Sequence, residues 1–201
     1  MTRPQNIILV GFMGSGKSRV GRELARRTGW PLVDTDQVVQ QRAGKPIHQI
    51  FQEDGEAAFR ALERQAVAQA CQGAGQIIAA GGGAFVDPDN RRLMLERGLV
   101  FCLSARPETL HRRVAGGPGQ GESARESRAV TRPLLAGPSA EGLARIKALL
   151  EQRADSYAQA HHTIQTDDLA PEQTAQRILE LSGMGADHPH PIPPPSQGGG
   201  S

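Results

Sequence analysis

Aromatic residues are scarce in this chain, with five Phe, one Tyr and one Trp among 201 residues. That scarcity removes the stacking platforms on which single-stranded nucleic-acid binders depend. A formal net charge of +2 offers no electrostatic footprint for a phosphate backbone, so no nucleic-acid partner is expected. Cysteine is nearly absent too: Cys71 and Cys102 lack C-x-x-C spacing, which argues against a disulfide framework or a zinc site and for two buried small hydrophobes. No apolar run reaches the length of a membrane span, and Met1 to Asn6 leads into only four apolar residues, too few for a signal peptide. A cytoplasmic protein without membrane contact is expected. Lysine is outnumbered by arginine, three to twenty, which reflects either bidentate phosphate chemistry or an arginine-favouring genome.

What is present suffices for one globular domain, since 201 residues with 38% hydrophobic content bury about 70% of their unfolded surface. Apolar runs at Ile7 to Val10, Pro31 to Val33, Ile77 to Ala80, Leu99 to Leu103 and Thr163 to Gln165 read as five buried strands. Helix-period sequence lies between and after them, over Lys17 to Thr28, Gln37 to Ala43, Gly55 to Cys71, Pro88 to Arg97, Pro107 to Val114, about Ser139 to Ala160, and Pro171 to Leu181. That alternation predicts an α/β fold with a parallel sheet. Asp87 ahead of Pro88 is a helix cap with Pro in the first turn. From Ala115 to Arg132 a Gly-rich and then charged stretch predicts a long mobile loop. The domain is placed at residues 1–182, and the Pro/Gly-rich tail at 183–201 is predicted to be disordered, because it has little apolar surface to bury.

The strongest local signal is Gly11-Phe12-Met13-Gly14-Ser15-Gly16-Lys17-Ser18, which fits G-x-x-x-x-G-K-[ST] directly after the first predicted strand. A glycine turn that opens a helix aims consecutive backbone N–H groups and the positive end of a helix dipole at one point, and a triphosphate fits there. Lys17 adds a mobile positive charge. The Ser18 hydroxyl is a hard oxygen ligand suited to Mg²⁺ held largely by water and phosphate.

Asp34-Thr35-Asp36 falls at the carboxyl end of the second predicted strand, the edge of an open parallel sheet where ligands bind. If the strand persists, Asp34 and Asp36 share one side, one steadying Mg²⁺ through water and the other meeting a substrate hydroxyl. Alternatively, Asp36 caps a helix that begins at Gln37. Gly81-Gly82-Gly83 follows the third strand as Gly11 follows the first, which predicts a second patch of open backbone amides at the same edge. Arg60 and Arg153 lie on predicted helices, where a solvated face is the ordinary reading.

Taken in order, Gly11 to Ser18, Leu32 to Asp36, Ile50-Phe51, Asp54-Gly55-Glu56, Phe59-Arg60, Gly81 to Ala84, Arg132-Pro133-Leu134-Leu135, and Arg153 with Tyr157 resemble the shikimate kinase family across roughly the first 180 residues. The resemblance implies a three-layer α/β sandwich of P-loop kinase type, with a five-stranded parallel sheet and a lid over about 114–132. It implies transfer of the γ-phosphoryl group of ATP to the 3-hydroxyl of shikimate, with Mg²⁺, by a monomer. By the same resemblance Gly14, Ser15, Gly16, Lys17, Ser18, Arg19, Arg113 and Arg132 face ATP. Ser18 and, through water, Asp34 hold the metal. Asp36, Arg60, Gly81, Gly82, Gly83 and Arg153 hold shikimate, the two arginines gripping its carboxylate, and Asp36, Lys17 and Arg132 are catalytic. The segment Val114 to Thr131 is longer and richer in glycine than the family's usual lid, so Arg125 and Arg128 compete with Arg132 for closing over ATP. Thr166 to Pro171 resembles the family's adenine-side loop without offering a basic side chain. Rival readings are another small P-loop kinase acting on gluconate or a nucleoside monophosphate, a nucleotide switch, and an inactive scaffold. No Asn-Lys-x-Asp segment supports the switch, and intact Lys17, Ser18, Asp34 and Asp36 argue against lost chemistry.

Overall fold

The side chains of β1 (Ile7–Val10) alternate between two cores, Ile7 and Leu9 entering one and Ile8 and Val10 the other, all four fully buried. β4 (Leu99–Ser104) repeats the pattern, with Phe101 and Leu103 on the first side and Val100 and Cys102 on the second. A strand covered on both faces has to be apolar at every position, which explains the unbroken runs in the sequence. In this computed structural model, which describes residues 5–115 and 139–184, β2 (Leu32–Asp34), β3 (Ile77–Ala79) and β5 (His162–Gln165) complete a parallel sheet in the order β2-β3-β1-β4-β5.

Helices α1 (Lys17–Thr28), α2 (Thr35–Ala43), α3 (Ile47–Glu53), α4 (Gly55–Ala70), α5 (Pro88–Arg97), α6 (Pro107–Ala115), α7 (Ser139–Tyr157) and α8 (Pro171–Leu181) surround that sheet. α1 and α8 supply Val20, Leu24, Ala175 and Ile178 to one core. α4, α5 and α7 supply Val67, Met94 and Tyr157 to the other. A satellite cluster of Val39, Ile50, Phe59 and Ala66 ties α2, α3 and α4 together, with Phe51 and Phe59 rings 4.5 Å apart. The layers are helix, sheet, helix, as expected. Both cysteines are unpaired and buried, and burial pushes their thiols up to about 11. No described helix is long and apolar enough to cross a membrane.

The structure differs from the sequence expectations in three places. α3 has only seven residues after Pro46, too few to establish a helical period. α2 begins at Thr35 rather than Gln37, and its cap is Asp34, whose Oδ1 accepts from the N–H groups of Asp36 (3.1 Å) and Gln37 (3.4 Å). Strand alternation therefore does not relate Asp34 to Asp36, because the strand stops at Asp34 and Asp36 belongs to the first turn of the helix. α7 ends at Tyr157 instead of Ala160. The expected lid beyond Ala115 and the tail beyond Met184 lie outside the described residues.

The turn from α7 into β5 is closed by His161, whose Nδ1 accepts the Val100 N–H at 3.0 Å. Only a neutral ring accepts there. Burial, reinforced by His162, lowers the His161 pKa from its ordinary 6.5. A depressed folded-state pKa gives a contribution that is complete above the unfolded value and lost as pH falls through the folded one. Urea midpoints should fall for the wild type as pH drops below about 6.5. His161→Gln, whose amide oxygen still accepts, should lose less over the same interval, and equal losses would remove His161 from the effect.

Candidate active site

Gly11 leaves β1 with φ +129°, and a Cβ there would overlap the Leu103 carbonyl oxygen. Gly16 (φ +103°) ends the loop as the residue before α1. It offers no side chain to the first helical N–H groups, and no acid occupies the first turn. The N-terminus of α1 is thus open to an anion. The Ser15 Oγ is buried inside the loop without a hydrogen-bond partner among the described residues, as fits a group that awaits a ligand oxygen. Lys17 Nζ folds back over the loop to donate to the carbonyls of Gly11 (2.8 Å) and Phe12 (3.0 Å). Ser18 Oγ donates to Asp34 Oδ2 at 3.0 Å, so one carboxylate both caps α2 and holds the hydroxyl. Loop, Asp34, Asp36, Gly82 and Arg113 line a polar cavity of about 440 Å³, and Arg19 lines it too.

The second glycine turn lies against this loop. A Cβ added to Gly82 would stand 3.3 Å from the Met13 backbone nitrogen. The Gly81 N–H donates to the buried Thr35 Oγ1 at 2.9 Å. A Cβ at Gly81 would meet Asp36 Oδ1 at 2.6 Å and Glu63 Oε1 at 3.1 Å, and one at Gly83 would meet Arg60 Nη1 at 2.9 Å. Arg60 is fixed by Glu63 (2.8 Å) and Glu56 (3.1 Å) on its own helix. The Glu63 side chain is 3% exposed. Burial pushes its carboxyl above the ordinary range although Arg60 pulls the other way. Burial opposes the Arg60 charge, yet its carboxylate partners carry its pKa upward. On the far side, Arg153 Nη1 (3.1 Å) and Tyr157 Oη (2.6 Å) both donate to the Gly82 carbonyl, and the Arg153 guanidinium sits 5.4 Å over the Phe12 ring.

On the opposite flank of the cavity, Arg113 donates to Thr166 Oγ1 (3.1 Å) and to its carbonyl (2.6 Å). The Thr166 hydroxyl in turn lies 3.2 Å from the Ser15 carbonyl and 3.1 Å from that of Ser104. Asp167 accepts from the backbone and Nε of Arg106, which fastens the loop bearing Leu169 beside the cavity.

The structure thus brings Gly14 to Arg19, Asp34, Asp36, Gly81 to Gly83 and Arg113 together at one sheet edge. Arg60 and Arg153 join through Gly83 and Gly82 rather than by lining the cavity itself. Arg125, Arg128 and Arg132 lie outside the described residues. Sequence reasoning missed Glu63, Thr35 and Thr166 as supports. Only Glu63, three residues after Arg60 on a helix, carried a spacing that could have signalled it. Among the described residues no group of three or more His, Cys, Asp or Glu side chains forms a metal cage. Gly81→Ala should cost about 1–3 kcal/mol in urea unfolding, since its methyl meets two carboxylates in a packed site; an unchanged midpoint would show that the pocket yields freely.

A profile of the shikimate kinase family matches residues 13–182. Among curated relatives, the shikimate kinase of Symbiobacterium thermophilum is 44% identical over 87% of this chain and 94% of its own length. That of Thermus thermophilus is 39% identical over 89% and 90%. The solved structure of shikimate kinase from Acinetobacter baumannii in complex with shikimate superposes with a TM-score of 0.77 at 34% identity, covering 90% of this chain and 93% of that one. With identity at that level spread over nearly the whole described domain, the chain belongs to the shikimate kinase family.

Proposed function

We propose that the protein transfers the γ-phosphoryl group of ATP to the 3-hydroxyl of shikimate, giving shikimate 3-phosphate on the route to chorismate and aromatic amino acids. Family membership supports the reaction, and the observation that carries the residue roles is the abutment of the two glycine turns. In support of those roles, Asp36 lines the same cavity as the phosphate loop, and the second glycine turn lies beside both Asp36, at Gly81, and Arg60, at Gly83. Phosphoryl transfer through a loose transition state asks the protein for alignment and charge neutralisation rather than covalent help.

In this reading, N–H groups from Gly14 to Ser18 hold the phosphates, Arg19 and Arg113 flank the nucleotide, and Lys17 exchanges its carbonyl partners for phosphate oxygen. Asp36 orients the acceptor hydroxyl and takes its proton. Arg60 and Arg153 grip the acceptor's carboxylate, with Gly81 to Gly83 beneath it. Resemblance adds Arg132 as a further charge over the phosphates. A hydroxyl bonded to a carboxylate at 3.0 Å is a hard oxygen pair that suits Mg²⁺ with most of its waters retained. Ser18 would hold it directly and Asp34 through water. When bound, the ion would offset charge on the β- and γ-phosphates. A monomer remains the expectation carried over from the sequence, and the pathway assignment supports a cytoplasmic location.

Asp36→Asn should lower kcat by at least about a hundredfold, the scale of a lost general base, with thermal stability nearly unchanged. Arg60→Ala should raise KM for shikimate by tenfold or more while leaving KM for ATP within about twofold, as loss of a charge-assisted bidentate contact allows. Coupled assay of ADP release reads both, and near-normal turnover of Asp36→Asn would remove it from the chemistry.

A further inference from the structure

We propose that Tyr157 is a positioning residue for the acceptor side of the reaction, its hydroxyl fixing the Gly82–Gly83 peptide between the phosphate loop and Arg60. The inference rests on the reading that Gly81 to Gly83 and Arg60 receive shikimate. Tyr157 is the last residue of α7, 9% exposed, with its ring packed in the same core as Ala84, Phe85 and Cys102. Its hydroxyl reaches the Gly82 carbonyl at 2.6 Å, the shorter of the two bonds that oxygen accepts.

A trans peptide is a rigid plane, so holding the Gly82 carbonyl toward α7 fixes the Gly83 N–H in the opposite direction. Three consecutive glycines would otherwise leave that plane loosely determined. The plane sits where both halves of the site meet, since a Cβ at Gly82 would approach Met13 N and one at Gly83 would approach Arg60 Nη1. Arg153, one helical turn before Tyr157, donates to the same carbonyl. It is also the side chain assigned to the acceptor's carboxylate, so its bond to Gly82 is drawn on when the ligand arrives. The tyrosine is neutral and is not assigned to the ligand, and its hydroxyl also meets the Arg153 side chain. Burial pushes its hydroxyl up to about 12, so it stays a donor at physiological pH.

Tyr157→Phe keeps the packed ring and deletes the bond. KM for shikimate should rise about tenfold, with kcat and KM for ATP within twofold, as expected for one buried hydrogen bond acting on a single substrate. Replacement by 3,5-difluorotyrosine, a more acidic phenol, should restore KM near neutral pH and let it climb at alkaline pH, where the wild type stays flat. An unchanged KM in Tyr157→Phe, parallel losses for both substrates, or a difluorotyrosine profile that matches the wild type would each overturn the proposal. Arg60→Ala in the same assay separates the two levels. If it raises KM for shikimate while Tyr157→Phe does not, only the role of Tyr157 falls; if neither does, the acceptor site itself falls.

Discussion

The site depends on the close approach of two backbone turns, Gly82 of one lying against the backbone of Met13 and Gly11 in the other. β1 and β3 are neighbours in a parallel sheet, with Leu9 beside Ala79, and the Ala80 N–H continues the ladder to the Leu9 carbonyl at 3.0 Å. The chain segments that follow therefore emerge side by side at the carboxyl edge. Glycine at position 82 suits that proximity, since a Cβ there would stand only 3.3 Å from the Met13 backbone nitrogen. A larger residue would press on that backbone and displace the turns by a few tenths of an ångström, a shift to which the proposed alignment of donor and acceptor across them is sensitive.

Around that contact, charge is held in place by burial and by partners on neighbouring turns. Glu63, almost fully desolvated, is held against Arg60, and Asp34 serves a helix cap and a hydroxyl at once. Desolvation of Glu63 is unfavourable on its own, so the pair is explained better as a device that fixes the direction of Arg60 than as a source of stability. Lys17 over its own loop carbonyls has the same character, since a charge already folded across the phosphate cradle needs little rearrangement to meet a triphosphate. Thr166 links the opposite flank, joining Arg113 to the Ser15 carbonyl, so Arg113 and the glycine loop share one hydroxyl.

Much of this was legible in the sequence where a periodic or spaced pattern enforces it. Runs such as Ile7 to Val10 announce strands buried on both faces, and the G-x-x-x-x-G-K-S spacing announces the turn after the first of them. Seven residues of α3 were illegible because they span fewer than two turns. The cap at the head of α2 is Asp34, two residues before the Asp36 that the sequence offers as the alternative cap; the two are chemically equal candidates and only the backbone decides between them. Arg60 and Arg153 look like solvated helix residues by periodicity; family resemblance alone marked them, and the structure shows each meeting the second glycine turn. The supporting roles of the Thr35 and Thr166 hydroxyls could not be read, because a buried hydroxyl acquires its partners from segments far along the chain.

The most direct measurement is a crystal structure of the enzyme with Mg²⁺, ADP, a γ-phosphate mimic and shikimate bound together. The acceptor's 3-hydroxyl should lie about 3 Å from the Asp36 carboxylate and in line with the phosphate mimic seated in the loop of Gly11 to Ser18. A shikimate bound with that hydroxyl beyond reach of Asp36, or with its carboxylate turned away from Arg60 and Arg153, would contradict the arrangement of donor and acceptor across the two glycine turns.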